Sequence, residues 1–157
     1  MSPLSQVHDR HILLADDDND DCLLFKDALD ELQLPVGLTT FPNGEELMQW
    51  LNRIEQLPDL LFLDLNMPRK NGVDCLAEIK NNEKLKMLSV VIFSTSFQQV
   101  VADQLYNGGA RYYIRKPSDF TQLKNVIQKV LMIIDGDHSS LPGGNSVQPT
   151  KANFVLT

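Results

Sequence analysis

The chain has 157 residues and a formal net charge of −7 at pH 7, and 43% of its residues are hydrophobic. This length predicts one domain with a single core, and the apolar fraction is typical of globular rather than disordered proteins. The excess of acidic residues argues against a nucleic-acid-binding surface, which needs clustered Lys and Arg. No apolar run is as long as a signal-peptide core or a membrane span, so we expect a cytoplasmic protein without membrane contacts.

Short apolar segments alternate with longer segments of helical periodicity along most of the chain. Segments such as Leu60–Leu63 are continuously apolar, which predicts strands that are buried on both faces of a sheet. Alternating strands and helices are typical of parallel βαβ units, and the right-handed crossover rule then predicts a doubly wound sheet with helices on both faces. The predicted strands are 11–15, 36–41, 60–63, 90–93 and 111–115, with a helix after each of them.

The composition of the chain changes after Ile134. Residues 135–150 are rich in Asp, Gly, Ser and Pro, as flexible tails are. An apolar cluster follows at 153–157, for which docking on the domain, docking on a partner and disorder all remain open. The predicted organisation is an N-terminal arm over 1–9, a domain over 10–134 and a C-terminal tail over 135–157 without an output domain.

Polar side chains follow four of the predicted strands. Asp16 and Asp17 follow the first strand, Asp64 the third, Ser94 the fourth and Lys116 the fifth. Because an open parallel sheet binds ligands beyond the carboxyl ends of its strands, we expect these five side chains to share one site. Three close carboxylates call for a cation, and Mg²⁺ prefers oxygen ligands and recruits phosphate oxygens. One carboxylate can then form an acyl phosphate, whose oxygens suit the lysine and the hydroxyl.

Four segments, in their order and spacing, resemble the receiver domains of two-component response regulators over about 10–134. They are Ile-Leu-Leu-Ala-Asp-Asp-Asp at 12–18, Leu-Asp-Leu-Asn-Met-Pro at 63–68 with Gly72 after it, Phe-Ser-Thr at 93–95 and Arg-Lys-Pro at 115–117. One acidic pair alone is weak support, whereas four elements at these intervals are specific. The resemblance implies a flavodoxin-like (βα)5 fold with a five-stranded, doubly wound parallel sheet.

The resemblance also implies the roles of the acidic residues. Asp64 would accept a phosphoryl group from the histidine of a sensor kinase. Asp17 would bind Mg²⁺ directly, Asp16 largely through water, and Asp64 and the backbone carbonyl of Asn66 would complete the metal site. Asp18 is expected to cap the following helix instead, and its neighbours Asp20 and Asp21 to lie in a solvated first turn.

The remaining site residues are assigned by the same resemblance. Ser94, a common alternative to threonine here, would bond the phosphoryl group and move towards it, and Lys116 would pair with it. Tyr113 matches an aromatic switch whose rotamer follows that movement, although a plain half-buried strand residue remains an alternative. Asn66 and Ser96 match two positions that tune the survival of the phosphoryl group.

The leading hypothesis is a stand-alone receiver, a signalling module rather than an enzyme, although it would assist its own phosphotransfer and dephosphorylation. Its output would be a changed surface, a homodimer through the fourth helix, fifth strand and fifth helix, or onward transfer to a histidine phosphotransfer protein in a multi-step phosphorelay. The alternative is a Mg²⁺-dependent phosphohydrolase with an aspartyl nucleophile. Such an enzyme should carry an acid two residues after the nucleophile, where this chain has Asn66.

Overall fold

The computed structural model describes residues 10–140 and 148–156, and the side chains of 135–140 are not described. The predicted N-terminal arm (1–9) and part of the predicted tail (141–147 and 157) lie outside these ranges. Within them, no helix is long and apolar enough to cross a membrane. The elements are β1 (Arg10–Ala15), α1 (Asn19–Leu32), β2 (Val36–Phe41), α2 (Gly44–Leu51), β3 (Leu60–Leu63), α3 (Gly72–Lys80), β4 (Val90–Ser94), α4 (Gln99–Asn107), β5 (Tyr112–Arg115), α5 (Phe120–Ser140), a 3₁₀ turn (Lys151–Asn153) and β6 (Val155–Leu156).

The strands form one parallel sheet in the order β2-β1-β3-β4-β5-β6. The order reverses between β1 and β3, which is the point where doubly wound sheets bind their ligands. The register places Ala15 beside Leu63, and Ser94 beside Arg115. The residues that follow β1, β3, β4 and β5 therefore emerge at one edge of the sheet.

The two faces of the sheet carry separate hydrophobic cores. On β3, Leu61 and Leu63 join the core that includes α2, α3 and α4, whereas Leu60 and Phe62 join the core beneath α1 and α5. Phe62 packs edge-to-face on Phe25 of α1, with 4.8 Å between the ring centroids. All four residues of β3 are buried. The predicted architecture, a parallel sheet with helices on both faces, is confirmed.

Side-chain caps set the start of α1 at the edge of the sheet that carries the predicted site. Asp18 Oδ1 accepts hydrogen bonds from the backbone N–H groups of Asp20 and Asp21, at 2.9 and 3.2 Å. Asp18 is therefore the N-cap that the sequence predicts. The cap ties the first turn of α1 to the end of β1, so that acidic residues of this turn lie close to the carboxyl ends of the strands.

The sheet has six strands in the described residues rather than the five predicted. β6 pairs with the outer edge of β5, with Val155 beside Tyr113 and Leu156 beside Ile114. A strand of two residues is too short to show periodicity in a sequence, and the polar stretch before it is typical of a tail. Of the three fates left open for the apolar cluster, docking on the domain is the one observed. The predicted domain end at 134 also falls inside α5, which continues to Ser140.

Candidate functional site

Three carboxylates meet at the carboxyl ends of β1 and β3. Asp16 and Asp17 follow β1, Asp64 follows β3, and one oxygen from each lies within 4.8 Å of the other two. Asp16 and Asp64 are buried, with 2% and 5% of their surfaces exposed, and Asp17 is exposed. The backbone N–H of Asp64 donates to the carbonyl of Ala15 over 2.9 Å, which fixes the two strand ends side by side. The cluster therefore lies at the ends of two adjacent strands and is open to solvent on the side of Asp17.

The loop after β3 is packed tightly against the backbone of Asp64. The N–H of Gly72 donates to the carbonyl of Leu65 over 3.0 Å. A Cβ atom on Gly72 would lie 2.3 Å from the carbonyl oxygen of Asp64, which is far inside van der Waals contact. Any larger residue at position 72 would therefore displace the backbone that carries Asp64, which gives a physical reason for this glycine in the predicted motif.

Lys116 reaches the carboxylates from the end of β5. Its Nζ lies 2.6 Å from Asp16 Oδ2, 2.8 Å from Asp21 Oδ2 and 3.8 Å from Asp64 Oδ2. Burial alone would lower the pKa of Lys116, but the close contacts with the carboxylates of Asp16 and Asp21 outweigh it and raise that pKa. The expectation that Asp21 is a solvated residue was wrong, because its carboxylate binds Lys116. Its position in the turn capped by Asp18 does not by itself indicate a partner 95 positions away along the chain.

Burial and crowding perturb the acid groups. Desolvation raises the pKa of Asp64 to about 6, and the charge of Asp16 adds to the rise, whereas Lys116, the N–H of Asn66 and the hydroxyl of Ser94 oppose it. Desolvation also raises the pKa of Asp16, against the lowering effect of its bond to Lys116. Carboxylates that resist ionisation at close quarters are stabilised by a cation between them. The oxygen-only donor set and the excess of negative charge fit a hard divalent cation such as Mg²⁺.

A chain of hydrogen bonds links the acid cluster to Tyr113. The buried Ser94 lies at the end of β4, and its Oγ is 3.2 Å from Ser96 Oγ. Asn66 Nδ2 donates to the same Ser96 Oγ over 3.2 Å, and the Tyr113 hydroxyl donates to the Ser96 carbonyl. Tyr113 is fully buried and packs edge-to-face on Phe97, with 5.3 Å between the ring centroids. Tyr113 is thus fully rather than half buried, and its role as a switch residue stays a prediction.

An open cavity of about 550 Å³ lies beside this chain of contacts. Asn66, Ser96 and Tyr113 contribute to its wall. The side chains that the sequence analysis selected are all brought to this edge of the sheet. Sequence reasoning missed Asp21 and also Phe154, whose ring centroid is 6.4 Å from that of Tyr113. For the contact of Phe154 with Tyr113, the only sequence signal is an aromatic residue in the apolar cluster at 153–157.

Comparison with known proteins identifies the family. The model of the response regulator receiver domain matches residues 12–128. Response regulator Rcp1 of Synechocystis sp. is 30% identical over 124 residues, which cover 76% of this chain and 84% of Rcp1. The structure of the phosphorylated cyanobacterial phytochrome response regulator RcpA has a TM-score of 0.73 at 32% identity, over 78% of this chain and 91% of RcpA. The Mn²⁺-bound form of Rcp1 has a TM-score of 0.70 at 27% identity, over 90% of this chain and 99% of Rcp1.

These findings agree with the site. Receiver domains are signalling modules that work with sensor histidine kinases and bind a divalent metal at an aspartate cluster. The flavodoxin-like parallel sheet, the three carboxylates and the lysine beside them are the corresponding parts of this molecule. The chain belongs to the family of response regulator receiver domains.

Proposed function

We propose that Asp64 accepts a phosphoryl group from the phosphohistidine of a sensor kinase, in a reaction that needs Mg²⁺. The observation that carries this proposal is the carboxylate cluster, in which one oxygen each of Asp16, Asp17 and Asp64 lie within 4.8 Å of one another. These three carboxylates and the backbone carbonyl of Asn66 would hold the metal ion. The ion, when bound, neutralises the charge of the carboxylates and of the phosphoryl oxygens.

The contacts of the two buried carboxylates support Asp64 as the nucleophile. Both oxygens of Asp16 are engaged, since Oδ1 accepts a hydrogen bond from the N–H of Asp18 over 2.9 Å and Oδ2 lies 2.6 Å from Lys116 Nζ. Asp64 lies farther from Lys116, at 3.8 Å. An oxygen of Asp64 would form the bond to phosphorus while the bond to the kinase imidazole nitrogen breaks, and that nitrogen would keep the electron pair. The step needs Asp64 in its ionised form, which the cation favours.

Two side chains would receive the transferred group. The Lys116 ammonium would pair with one phosphoryl oxygen as a point charge. The hydroxyl of Ser94 would donate to another oxygen and would shift relative to Ser96 Oγ, which lies 3.2 Å away. Because the Tyr113 hydroxyl donates to the carbonyl of Ser96, a shift of Ser94 that moves Ser96 would also change the position of the Tyr113 side chain. These contacts support Tyr113 as the switch residue of the domain.

The lifetime of the phosphoryl group would depend on Asn66 and Ser96. They are joined by a 3.2 Å hydrogen bond, and both contribute to the wall of the open cavity. Their side chains would govern the approach of the water that hydrolyses the aspartyl phosphate, so that the domain assists its own dephosphorylation. The rival phosphohydrolase loses support, because the amide of Asn66 cannot act as the general acid at this position.

The output would pass through the surface around α4, β5 and α5. A homodimer through this face and onward transfer to a histidine phosphotransfer protein are both compatible with a receiver. Since β6 covers the edge of β5, a dimer would use the exposed faces of α4 and α5 or would displace β6. Cys22 and Cys75 are both free thiols, which supports a reducing cytoplasmic location. The formal charge of −7 supports the absence of a nucleic-acid partner.

Acetyl phosphate and Mg²⁺ test the proposal directly. The wild-type chain should gain one phosphoryl group, labile to hydroxylamine and visible by mass spectrometry of the intact protein. The variant Asp64→Asn should gain none. The matched control is Asp20→Asn, which removes an exposed carboxylate from the same end of the sheet. Labelling that persists in Asp64→Asn, or is equally lost in Asp20→Asn, would show that Asp64 is not the acceptor.

A further inference from the structure

The tail segment (148–156) is anchored to the end of α4 by hydrogen bonds. Gln148 Nε2 donates to the carbonyl of Tyr106 over 2.6 Å and to that of Ala110 over 2.8 Å. In return, the hydroxyl of Tyr106 donates to the carbonyl of Pro149 over 2.8 Å. The tail segment is thus bound to specific groups of the domain before it reaches β5.

Beyond this anchor, the tail segment covers Tyr113. The N–H of Tyr113 donates to the carbonyl of Phe154 over 3.0 Å, and Val155 pairs with Tyr113 in the sheet. The ring of Phe154 is 2% exposed and packs edge-to-face on Tyr106 and Tyr113, with centroid distances of 5.2 and 6.4 Å. Phe154 and Tyr113 belong to the same core, on the α4 side of the sheet. The ring of Tyr113 is therefore enclosed between Phe97 and Phe154.

We propose that the tail segment is an intramolecular ligand of Tyr113 which selects the inward rotamer of its ring. An outward ring would enter the space between α4 and the edge of β5 that Phe154 fills. The inward ring keeps both the hydroxyl bond to Ser96 and the contact with Phe154. This inference rests on the proposed roles of Asp64 as acceptor and Tyr113 as switch.

Docking of the tail and phosphorylation of Asp64 then favour each other. The contacts run from Asp64 through Ser94 and Ser96 to Tyr113, and from Tyr113 to Phe154. A phosphoryl group that draws Ser94 inward stabilises the same Tyr113 rotamer as the tail does. Coupling between two sites is reciprocal, so the tail must raise the affinity for a phosphoryl group by the factor by which that group raises tail docking.

Beryllofluoride with Mg²⁺ is the probe, because it mimics a phosphoryl group on a carboxylate without a turnover step. Calorimetric titration of the full chain gives its affinity. Phe154→Ala should weaken beryllofluoride binding by about fivefold or more, the lower range of known coupling between sites. Gln148→Ala keeps the Phe154 side chain and should weaken beryllofluoride binding by about twofold. Circular dichroism checks that both variants fold.

Hydrogen exchange at the backbone N–H of Tyr113 measures tail docking independently, since this N–H donates to the backbone carbonyl of Phe154 when the tail is docked. Hydrogen exchange at this amide should slow in wild type when beryllofluoride binds, and should be fast in Phe154→Ala. The matched control is Lys151→Ala, which removes an exposed ion pair to Asp103 from the same segment and should leave the affinity unchanged. In a Tyr113→Ala background, Phe154→Ala should have no further effect on the affinity.

The outcomes separate the two proposals. If wild type binds beryllofluoride in a manner that needs Asp64, but Phe154→Ala binds within twofold of wild type, the coupling is refuted and the role of Asp64 stands. Unchanged exchange at the Tyr113 amide on binding would refute it as well. If wild type does not bind, or if Asp64→Asn binds equally well, the proposed function fails and the coupling fails with it.

Discussion

The carboxyl end of the sheet and its outer edge at β5 are held together in opposite ways. At the carboxyl end, three carboxylates crowd within 4.8 Å, and two of them are buried with raised pKa values. At the outer edge, the apolar ring of Phe154 is buried between two tyrosines. In the first region, burial and the neighbouring acid groups disfavour the charged carboxylates, and a bound cation would offset this cost. The second region gains stability from apolar burial and from the hydrogen bonds of the tail segment. The carboxylate cluster and the apolar outer edge are thus largely separate parts of this domain, and Tyr113, the proposed switch residue, contacts Phe154 at the outer edge and Ser96 beside the cluster.

The largest expected effect concerns stability and compares two aromatic residues. Phe25→Ala empties a site in the core beneath α1, where Phe25 contacts Phe62 and Phe93, and should lower the free energy of unfolding by about 3–5 kcal/mol. Phe154→Ala should cost less, about 1–2 kcal/mol, because the tail segment can detach while the domain stays folded. Urea denaturation measures both. Equal losses would show that β6 belongs to the cooperative core rather than to a detachable segment.

The next effect concerns the reaction. Lys116→Met keeps the length of the side chain but removes the charge beside Asp64. Phosphorylation by acetyl phosphate should slow by about a hundredfold, as for the loss of one group that stabilises charge in a transition state. The labelling rate under saturating Mg²⁺ measures it. The control is Lys124→Met, which removes a partly exposed ion pair to Glu31 from the second turn of α5. A rate within threefold of wild type would remove Lys116 from the proposed mechanism.

A smaller effect is expected from the cost of charging Asp64 at the carboxyl end of the sheet. The pKa of Asp64 is raised to about 6 from its ordinary value of 3.8, so the folded state binds a proton that the unfolded state has already released. Without metal, the wild-type chain should therefore lose stability as the pH rises from about 4 to about 6, on the order of 1–2 kcal/mol. Asp64→Asn lacks this loss and should be the more stable protein at pH 7.5 in EDTA.

Urea denaturation at pH 4 and pH 7.5 measures this difference between Asp64→Asn and wild type. The difference should shrink at pH 4 in EDTA, where Asp64 is largely protonated, and at pH 7.5 in saturating Mg²⁺, which binds the wild-type site. Asp20→Asn should show neither trend. If Asp64→Asn is the less stable protein in EDTA at pH 7.5, the charged carboxylate of Asp64 does not destabilise the metal-free fold. The proposed difference between the carboxyl end and the outer edge would then be refuted.

The smallest effect concerns Asp21, whose side chain is 30% exposed. Asp21→Asn keeps the shape of the side chain and removes one of the charges that bind Lys116. It should change the free energy of unfolding by less than about 1 kcal/mol, because solvent screens a partly exposed pair. Thermal denaturation of Asp21→Asn beside Asp20→Asn measures the difference. A loss above 2 kcal/mol would mean that the Asp21–Lys116 pair is a main support of the site.

Local patterns predicted the buried strands and the residues at their ends. β3 is a continuous apolar run that stops at Asp64, and the parallel topology alone then places Asp64 beside Asp16. The contact of Asp21 with Lys116 depends on the orientation of the first turn of α1 relative to β5. These two residues are 95 positions apart. No local periodicity carries such information, so the composition of the turn predicted a solvated residue instead.

The tail shows the same limit more strongly. Its polar composition predicted a flexible tail, although α5 continues to Ser140, and a two-residue strand has no period to detect. What holds the tail segment is a set of long-range contacts, such as those of Gln148 with Tyr106 and Ala110. The (βα)5 part of the fold was predictable because each element carries its own pattern. The sixth strand was not predictable, because β6 is formed only through its pairing with β5 and carries no pattern of its own.

The pairing of β6 with β5 also bears on solubility. A free strand edge presents unpaired backbone groups that can add a strand from another molecule, and this is a common start of aggregation. Without β6, the outer edge would be the four-residue β5, flanked by the apolar rings of Tyr106 and Tyr113. With β6 in place, the sheet ends in a strand of only two residues, which is a poor template. A chain truncated before Gln148 should therefore precipitate at concentrations at which the full chain stays in solution, as light scattering would reveal.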